Sequence, residues 1–277
     1  MKQSKVFSLC NQKGGVGKTT TAINLSAGIA LNGYRVLLID IDPQANSTSG
    51  VGHDKKDLPH SVYQVMIGNL DARDAVIRTS SENLSIIPSN SELGGAEIEL
   101  IEVPEREFVL RKAIEGVKEN FDYTFIDCPP SLGLLTVNAL TASDYIIIPL
   151  QCEYYALEGL GQLIQTYEMV HENLNRNLEI GAILLTMADF RTNLTSQVIN
   201  DVRNHFKENV LNSVIPRSVS LGEAPSFGRP GILYDPSSKG ARSYMRAVEE
   251  FLERFRQDRE PSAKDEIRTG TREEKGR

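Results

Sequence analysis

Short, strongly apolar segments alternate along the chain with longer segments in which apolar residues recur every three or four positions. The short segments predict β-strands at residues 6–10, 36–40, 84–88, 123–127, 145–149, 180–186 and 210–214. The longer segments predict helices at residues 18–31, 105–118, 132–140, 158–173, 194–206 and 239–255. Strands that are apolar along their whole length are typical of a parallel sheet covered on both faces. The alternation therefore predicts an α/β fold with a doubly wound, mostly parallel sheet and helices on both faces.

No linker-like segment interrupts this alternation before about residue 256, so we expect a single domain over residues 1–256. The last predicted helix gathers its large apolar residues on one face, which favours a terminal helix docked on the domain over a membrane anchor. Residues 257–277 carry six acidic and six basic residues and almost no large apolar one. We expect that segment to be a disordered polar tail.

Residues 11–20, NQKGGVGKTT, form a glycine-rich loop between the first predicted strand and the first predicted helix. The backbone N–H groups of such a loop and the N-terminus of the helix together form an anion site. No Cβ atom keeps a phosphate away at three of its positions, Gly14, Gly15 and Gly17. Lys18 is placed to reach the β- and γ-phosphates, and the Thr19 hydroxyl is placed to ligate Mg²⁺. The sequence therefore predicts a nucleoside-triphosphate hydrolase of the P-loop class.

The loop departs from the general P-loop pattern at Gln12, where that pattern has glycine, and it carries an additional lysine, Lys13. Residues 13–19, KGGVGKT, resemble the deviant Walker A motif of the ParA/MinD superfamily. The resemblance implies an ATPase in which Lys13 reaches across a dimer interface to the partner's nucleotide, so that Lys13 joins Lys18 in the catalytic set. The nucleotide-binding residues implied for the loop are Lys13, Gly14, Gly15, Val16, Gly17, Lys18, Thr19 and Thr20.

Two of the predicted strands, 36–40 and 123–127, end on an aspartate. Because ligands in open α/β sheets bind beyond the carboxyl ends of the strands, we expect both aspartates to lie near the glycine-rich loop. A carboxylate at that position holds Mg²⁺, directly or through water, or orients the attacking water. The sequence therefore predicts that acidic residues complete the nucleotide site.

Residues 40–44, DIDPQ, resemble the second signature of the same superfamily. The resemblance implies that Asp42 orients the hydrolytic water and that Asp127 supports Mg²⁺ together with Thr19. It also implies two nucleotide-sensing switch segments, residues 42–50 and 127–133.

Further short segments look like those of the Soj type of ParA chromosome-partitioning ATPase, at residues 46–50, 185–187, 191–194, 215–217, 223–226 and 234–236. The resemblance covers about residues 5–255. It implies an ATP-dependent homodimer that binds DNA without sequence preference on the nucleoid in the cytoplasm, with a ParB/Spo0J-type partner that stimulates hydrolysis. It also implies that Pro216 and Ser218 lie beside the base and ribose, although Ser218 stands where the family has asparagine.

DNA contacts are implied by the same resemblance. Arg191 matches a DNA-contact position of the family, and Arg217 lies close to a second one. Arg242 and Arg246 are the other candidate contacts. Residues 176–246 carry nine Lys and Arg against six Asp and Glu, so this segment is +3 in a chain whose net charge is −7. That asymmetry fits a local anionic partner, because lysine and arginine neutralise phosphates.

The remaining composition is that of an intracellular globular protein. Three cysteines without paired spacing suit a reducing cytoplasm. The first apolar run is too short for the core of a signal peptide, and no apolar run reaches the roughly 18 residues of a membrane span. The four histidines show no ligand spacing, so we predict no transition metal.

Two other functions remain open at this point. A ParA-like positioning ATPase acting on a protein scaffold or a membrane is favoured by the net charge of −7 and by Ser220, which stands where the family has a basic DNA contact. A metabolic enzyme that uses ATP to activate a small substrate is the other alternative, and it lacks an obvious second substrate-binding motif.

Overall fold

The computed structural model describes residues 4–153 and 156–256, of which 156–159 by their backbone alone. All strands in these residues belong to one eight-stranded sheet. The strands are β1 Lys5–Leu9, β2 Val36–Asp40, β3 Ile77–Arg78, β4 Leu84–Ile87, β5 Tyr123–Asp127, β6 Tyr145–Gln151, β7 Glu179–Ala188 and β8 Val210–Pro216. Their order across the sheet is β3-β4-β2-β5-β1-β6-β7-β8. Every pairing is parallel except that of β3 with β4. The prediction of a mostly parallel sheet is confirmed.

Helices cover both faces of this sheet. They are α1 Lys18–Leu31, α2 Asn46–Gly50, α3 Val62–Met66, α4 Leu93–Glu99, α5 Val109–Lys118, α6 Leu134–Ala142, α7 Ala156–Asn173, α8 Asn193–Phe206, α9 Val219–Glu223, α10 Gly231–Tyr234 and α11 Lys239–Arg254. One apolar core lies between the sheet and helices α3 to α8, and a second lies between the sheet and helices α1 and α9 to α11. This is the doubly wound arrangement that the sequence predicts, since strands with two apolar faces need helices on each side.

Aromatic side chains dock the last helix on the sheet. The Phe7 ring of β1 lies 4.8 Å from the Phe251 ring and 4.9 Å from the Phe255 ring, both at steep angles. The Tyr123 hydroxyl donates to the carbonyl of Phe255 at 3.0 Å. The expectation of a docked terminal helix is therefore confirmed. No helix in the described part of the chain is long and apolar enough to cross a membrane.

Short elements are where structure and prediction differ. The helix predicted at 105–118 is a 3₁₀ turn, Arg106–Phe108, followed by α5. The sequence did not predict strand β3 or helices α2, α3, α4, α9 and α10. Elements of two to seven residues are too short to show a hydrophobic period. The predicted tail, 257–277, lies outside the described residues.

Candidate functional site

The glycine-rich loop joins β1 to α1 and leaves an open concavity. Gly15 and Gly17 have φ angles of +73° and +90°, a conformation that favours glycine. A Cβ atom at Gly15 would meet nothing within 4 Å, and one at Gly14 would meet only the Pro130 Cβ at 3.9 Å. The Thr186 hydroxyl at the end of β7 donates to the Val16 carbonyl at 2.8 Å and fixes the far side of the loop. The loop thus has room for a phosphate and a rigid support.

The start of α1 supplies positive charge to this concavity. Gly17 is the N-cap of the helix and has no side chain to bond the first N–H groups, and the first turn holds no acidic residue. These N–H groups therefore remain available to an anion. Lys18 is 7% exposed, and its Nζ donates to the Lys13 carbonyl at 3.3 Å. Thr19 and Thr20 follow as half-buried residues on the first turn. The predicted loop residues therefore surround one concavity that offers free N–H groups and a lysine to an anion.

The sheet register brings two aspartates together beside the loop. Asp40 at the end of β2 is paired with Asp127 at the end of β5, which is also paired with Leu9 of β1. Both carboxyl groups are fully buried. The Ser47 hydroxyl donates to Asp127 Oδ2 at 2.7 Å, while Asp127 Oδ1 has no hydrogen-bond partner among the described residues. An unpartnered buried carboxylate oxygen is costly unless a ligand or ion completes it.

Burial raises the pKa of Asp127 to about 6. The hydroxyls of Ser47 and Thr19 and the charge of Lys18 oppose that rise, whereas the charge of Asp42 adds to it. A carboxylate oxygen and the Thr19 hydroxyl are hard oxygen donors of the kind that Mg²⁺ prefers. The residues present therefore fit a magnesium ion, and bound Mg²⁺ would favour the ionised form of Asp127.

Asp40 has a structural task that the sequence did not reveal. Its Oδ2 accepts hydrogen bonds from the Thr48 N–H and the Thr48 hydroxyl, both at 2.8 Å, and its Oδ1 accepts from the Asp42 N–H at 3.1 Å. The Thr48 hydroxyl in turn accepts from the Ser89 N–H at 2.9 Å. Burial, followed by the charge of Asp127, raises the pKa of Asp40 to about 8. Asp40 thus ties the segment after β2 to the end of β4.

Asp42 lies at the same sheet edge, 6% exposed. Its Oδ1 accepts from the Gln44 N–H at 2.9 Å, and its carbonyl accepts from the Ala45 N–H at 2.8 Å. Ala45, the N-cap of α2, has a φ angle of +52°, which is rare for a residue with a side chain. Such backbone strain clusters in segments that change conformation. This is compatible with residues 42–50 as a switch, and the role of Asp42 toward water stays a prediction.

A cleft of about 170 Å³ opens next to the loop. Its walls include Gly17 and Thr20 from the loop and Pro216, Ser218 and Leu221 from the segment after β8. Pro216 and Ser218, which lie far from the loop in sequence, are therefore brought to its side. Met187, which also lines this cleft, has a φ angle of +51°. Its lining combines apolar side chains with five polar ones, those of Thr20, Thr186, Arg217, Ser218 and Tyr244, so the cleft offers both apolar surface and hydrogen-bonding groups to a ligand.

Lys13 is engaged within its own chain. Its side chain is 45% exposed, and its Nζ lies 2.6 Å from Glu153 Oε2. Glu153 lies two residues after Gln151, the last residue of β6, at the sheet edge that carries the loop. Glu153 was not predicted from the sequence, because it lies four residues beyond the predicted strand 145–149, whereas Asp127 is the last residue of its strand.

The four candidate DNA contacts are exposed. Arg242 and Arg246 line a second cleft of about 500 Å³ together with Lys239 and Phe190. Pro216 also lines this cleft, so it adjoins the smaller cleft beside the glycine-rich loop. Among the described residues, these side chains form a cationic wall with one aromatic ring.

Arg191, the residue after Phe190, makes two hydrogen bonds to Asp189, at 2.8 and 2.6 Å. These bonds lower the pKa of Asp189 to about 2. Arg217 is exposed, and its N–H donates to the Ala188 carbonyl at 3.1 Å. The Ser220 hydroxyl lies 3.0 Å from Asp235 Oδ2. The charge of Arg191 is therefore partly offset within the chain, which a count of charges does not show.

The comparisons with known proteins extend over most of the chain. A family model described as an AAA domain matches residues 4–180. The sporulation initiation inhibitor protein Soj of Bacillus subtilis is 55% identical over 246 residues, which are 89% of this chain and 97% of that protein. The chromosome partitioning protein ParA of Caulobacter vibrioides is 48% identical over 261 residues, 94% of this chain and 97% of that protein.

Solved structures agree on the fold. Cobyrinic acid a,c-diamide synthase from Mycobacterium smegmatis, crystallised with ADP and magnesium, is 37% identical with a TM-score of 0.81, covering 92% of this chain and 97% of that one. The cell division ATPase MinD of Pyrococcus furiosus is 25% identical with a TM-score of 0.76, covering 90% of this chain and 99% of that one.

Proposed function

The chain belongs to the ParA/Soj family of chromosome-partitioning ATPases, and from this premise we propose that it is an ATP-driven switch that dimerises and binds DNA. Its reaction is the hydrolysis of ATP to ADP and phosphate, with Mg²⁺ as cofactor. The proposal depends on one observation. The buried carboxylate of Asp127 lies beside the phosphate loop, and one of its oxygens has no hydrogen-bond partner among the described residues.

Binding and positioning account for the chemistry. The loop N–H groups and Lys18 hold the phosphates, and Thr19 and Asp127 would hold the metal, directly or through water. When bound, Mg²⁺ neutralises charge that develops on the β- and γ-phosphates. Asp42 orients the attacking water at the γ-phosphate. The base lies in the cleft beside Pro216 and Ser218. Positioning and charge stabilisation supply most of the catalysis in phosphoryl transfer.

Dimerisation converts nucleotide binding into DNA binding. In the dimer with ATP, Lys13 of each subunit reaches the nucleotide of the other. The exposed arginines of the two subunits, Arg191, Arg217, Arg242 and Arg246, then act on one DNA molecule. Joining two weak cationic faces raises avidity without any new contact per subunit. The cleft with Arg242, Arg246 and Lys239 supports this, because phosphate neutralisation needs charge rather than shape.

Hydrolysis reverses the switch. We place the protein in the cytoplasm, on the nucleoid, where a ParB-type partner stimulates hydrolysis and the dimer releases DNA. A single ATPase domain over residues 1–256 performs these steps. The cargo is a chromosome or a plasmid.

Co-sedimentation with DNA tests the proposal. The wild-type chain is spun with plasmid DNA in ATP, in ADP and without nucleotide, at fixed salt, because such binding depends steeply on ionic strength. We expect retention with ATP only. Equal retention in all three conditions would refute the switch.

A positioning ATPase acting on a protein scaffold or a membrane is the second candidate. The pairing of Arg191 with Asp189 favours it, because that pairing reduces the positive charge available to DNA, and Ser220 supplies no charge where the family has a basic residue. Arg191→Glu distinguishes the two. If DNA binding and cellular location are both unchanged in that variant, the scaffold function is favoured.

A further inference from the structure

The ion pair between Lys13 and Glu153 holds the lysine that the proposed dimer needs elsewhere. We propose that Glu153 is the resting acceptor of the Lys13 side chain, and that this contact makes dimer assembly depend on ATP rather than ADP. The inference rests on the proposed function, in which Lys13 acts on the partner's nucleotide. Glu153 is in this view a positioning residue that acts through Lys13.

Both partners of the pair are held in place from β6. The second carboxylate oxygen of Glu153 accepts a hydrogen bond from the Gln151 side-chain amide, and the Glu153 N–H donates to the Gln151 carbonyl at 2.8 Å. The Lys13 N–H donates to Asn11 Oδ1 at 3.0 Å, and the Asn11 amide donates to the Pro149 carbonyl at 2.8 Å. These contacts fix the backbone at Lys13 and the carboxylate of Glu153, so pairing mainly restricts the Lys13 side chain.

The pair spans more of the chain than the other ion pairs among the described residues, the next longest being that of Arg35 with Asp122 at 87 positions. It joins positions 140 apart in sequence. Arg73 and Arg191 each pair with the aspartate two positions earlier, and Lys118 pairs with the glutamate three positions earlier. Such local pairs form wherever a loop or helix places them. A pair between the phosphate loop and the end of β6 instead fixes the position of a functional lysine.

With Nζ 2.6 Å from Glu153, the Lys13 side chain is directed at its own subunit, and the carboxylate competes for the same positive charge as the phosphates of a second subunit's nucleotide. In the proposed dimer, Lys13 turns from Glu153 to the partner's nucleotide in each subunit. The phosphates of the partner's nucleotide must attract Lys13 more strongly than Glu153 does. ATP has one more phosphate group than ADP and therefore more negative charge, so it attracts the Lys13 ammonium more strongly. The strength of the Lys13–Glu153 pair sets how strongly the partner's nucleotide must attract Lys13 before the dimer forms.

The expected effect follows from the strength of surface ion pairs. Such a pair changes an equilibrium by about 1.5-fold to 5-fold. A symmetric dimer breaks two of them, so the effects multiply to about 2-fold to 25-fold. Removal of the Glu153 charge should tighten the dimer by that factor and should allow some dimer to form with ADP.

Sedimentation velocity tests this on the full chain with a non-hydrolysable ATP analogue or with ADP. Glu153→Gln removes the charge and keeps the size of the side chain. Glu105→Gln is the matched control, since Glu105 forms an exposed pair with Lys112 away from the loop. We expect tighter dimers with the analogue and measurable dimer with ADP for Glu153→Gln only. Unchanged or weaker dimerisation of Glu153→Gln, next to a dimeric wild type, would overturn the inference.

A second measurement observes Lys13 without any dimer. Nucleotide-free monomers are treated with an amine-reactive acylating reagent, and modification of each lysine is followed by mass spectrometry. We expect the acylation rate of Lys13 to be at least about twofold higher in Glu153→Gln than in the wild type, and intermediate in Glu153→Asp. The rate of Lys55 should not change. An unchanged Lys13 rate would overturn the inference. A wild-type chain that stays monomeric with the ATP analogue would instead contradict the proposed function.

Discussion

Substitution of Gly228 by alanine should destabilise the fold through a backbone contact with Gly52, just after α2. Gly228 has a φ angle of +59° and ends the 3₁₀ turn Ala224–Phe227. An added Cβ would lie 2.7 Å from the Cα of Gly52 and 3.3 Å from its nitrogen. Gly52 follows α2 closely, and its N–H donates to the Ser49 carbonyl at 3.0 Å. No flexible side chain can rotate away, so one of the two backbone segments must move.

Two contributions set the magnitude. A left-handed conformation costs alanine about 1–2 kcal/mol. Overpacking in a closely packed region costs about 1–3 kcal/mol more. Gly228→Ala should therefore lower the free energy of unfolding by about 2–5 kcal/mol.

Two other glycines separate these contributions. Gly68 has a φ angle of +79° and nothing within 4 Å of an added Cβ, so Gly68→Ala should show only the conformational cost of about 1–2 kcal/mol. Gly116 lies in α5 with open space around it and no unusual φ angle. Gly116→Ala should stabilise the protein by about 0.5–1 kcal/mol, because alanine restricts the unfolded chain and favours helix.

Urea unfolding of the three variants and the wild type, followed by circular dichroism, measures these differences. In order of decreasing free energy of unfolding, we expect Gly116→Ala, the wild type, Gly68→Ala and Gly228→Ala. If Gly228→Ala loses no more stability than Gly68→Ala, the contact with Gly52 does not resist displacement and the reasoning is wrong.

Three further predictions follow from single contacts. Thr186→Val leaves the Val16 carbonyl without its donor, so it should cost about 1–3 kcal/mol in urea unfolding and weaken binding of a fluorescent ATP analogue, whereas Thr186→Ser should do neither. The pKa values of Asp40, about 8, and Asp127, about 6, exceed the ordinary 3.8, so the folded chain keeps protons that the unfolded chain has lost. Stability without nucleotide should therefore fall from about pH 4 to about pH 8, by up to about 1.4 kcal/mol per pH unit for each retained proton, and a flat profile in urea titrations would contradict this. Arg191→Glu should weaken DNA binding and reduce its salt dependence by about one phosphate contact, while Arg73→Glu, which breaks a similar pair with Asp71, should change neither in a filter-binding titration.

The parts of the molecule that are local in sequence could be predicted well. The bounds of α1, 18–31, are those of the prediction, because a glycine-rich loop and a lysine mark its start. The strands at the centre of the sheet were predicted because apolar residues fill their whole length. The phosphate loop was found for a related reason, since its chemistry depends on consecutive residues.

Contacts between distant positions could not be predicted in this way. Ser47 bonds Asp127 across 80 positions and Thr48 bonds Ser89 across 41. Both depend on the strand order, in which β2 lies between β4 and β5. A chain of alternating strands and helices is compatible with several strand orders. The sequence therefore predicted that acids would meet the loop, but not which residues would hold them.

Charge counts have a related weakness. Residues 176–246 carry an excess of basic residues. The structure pairs Arg191 with Asp189 two positions away, so part of that excess is offset locally. The charge that remains available on Arg242, Arg246 and Lys239 depends on how α11 lies against β8, which only the fold determines.

The central claim is that ATP binding, rather than hydrolysis, creates the DNA-binding dimer. The most direct test is DNA co-sedimentation of Asp42→Ala and Lys18→Ala, each with ATP and Mg²⁺ and each compared with the wild type. We expect retained or prolonged DNA binding in Asp42→Ala, which cannot orient the water, and loss of binding in Lys18→Ala, which cannot hold the phosphates. DNA binding that survives in Lys18→Ala, or that is lost in Asp42→Ala while ATP still binds, would contradict it.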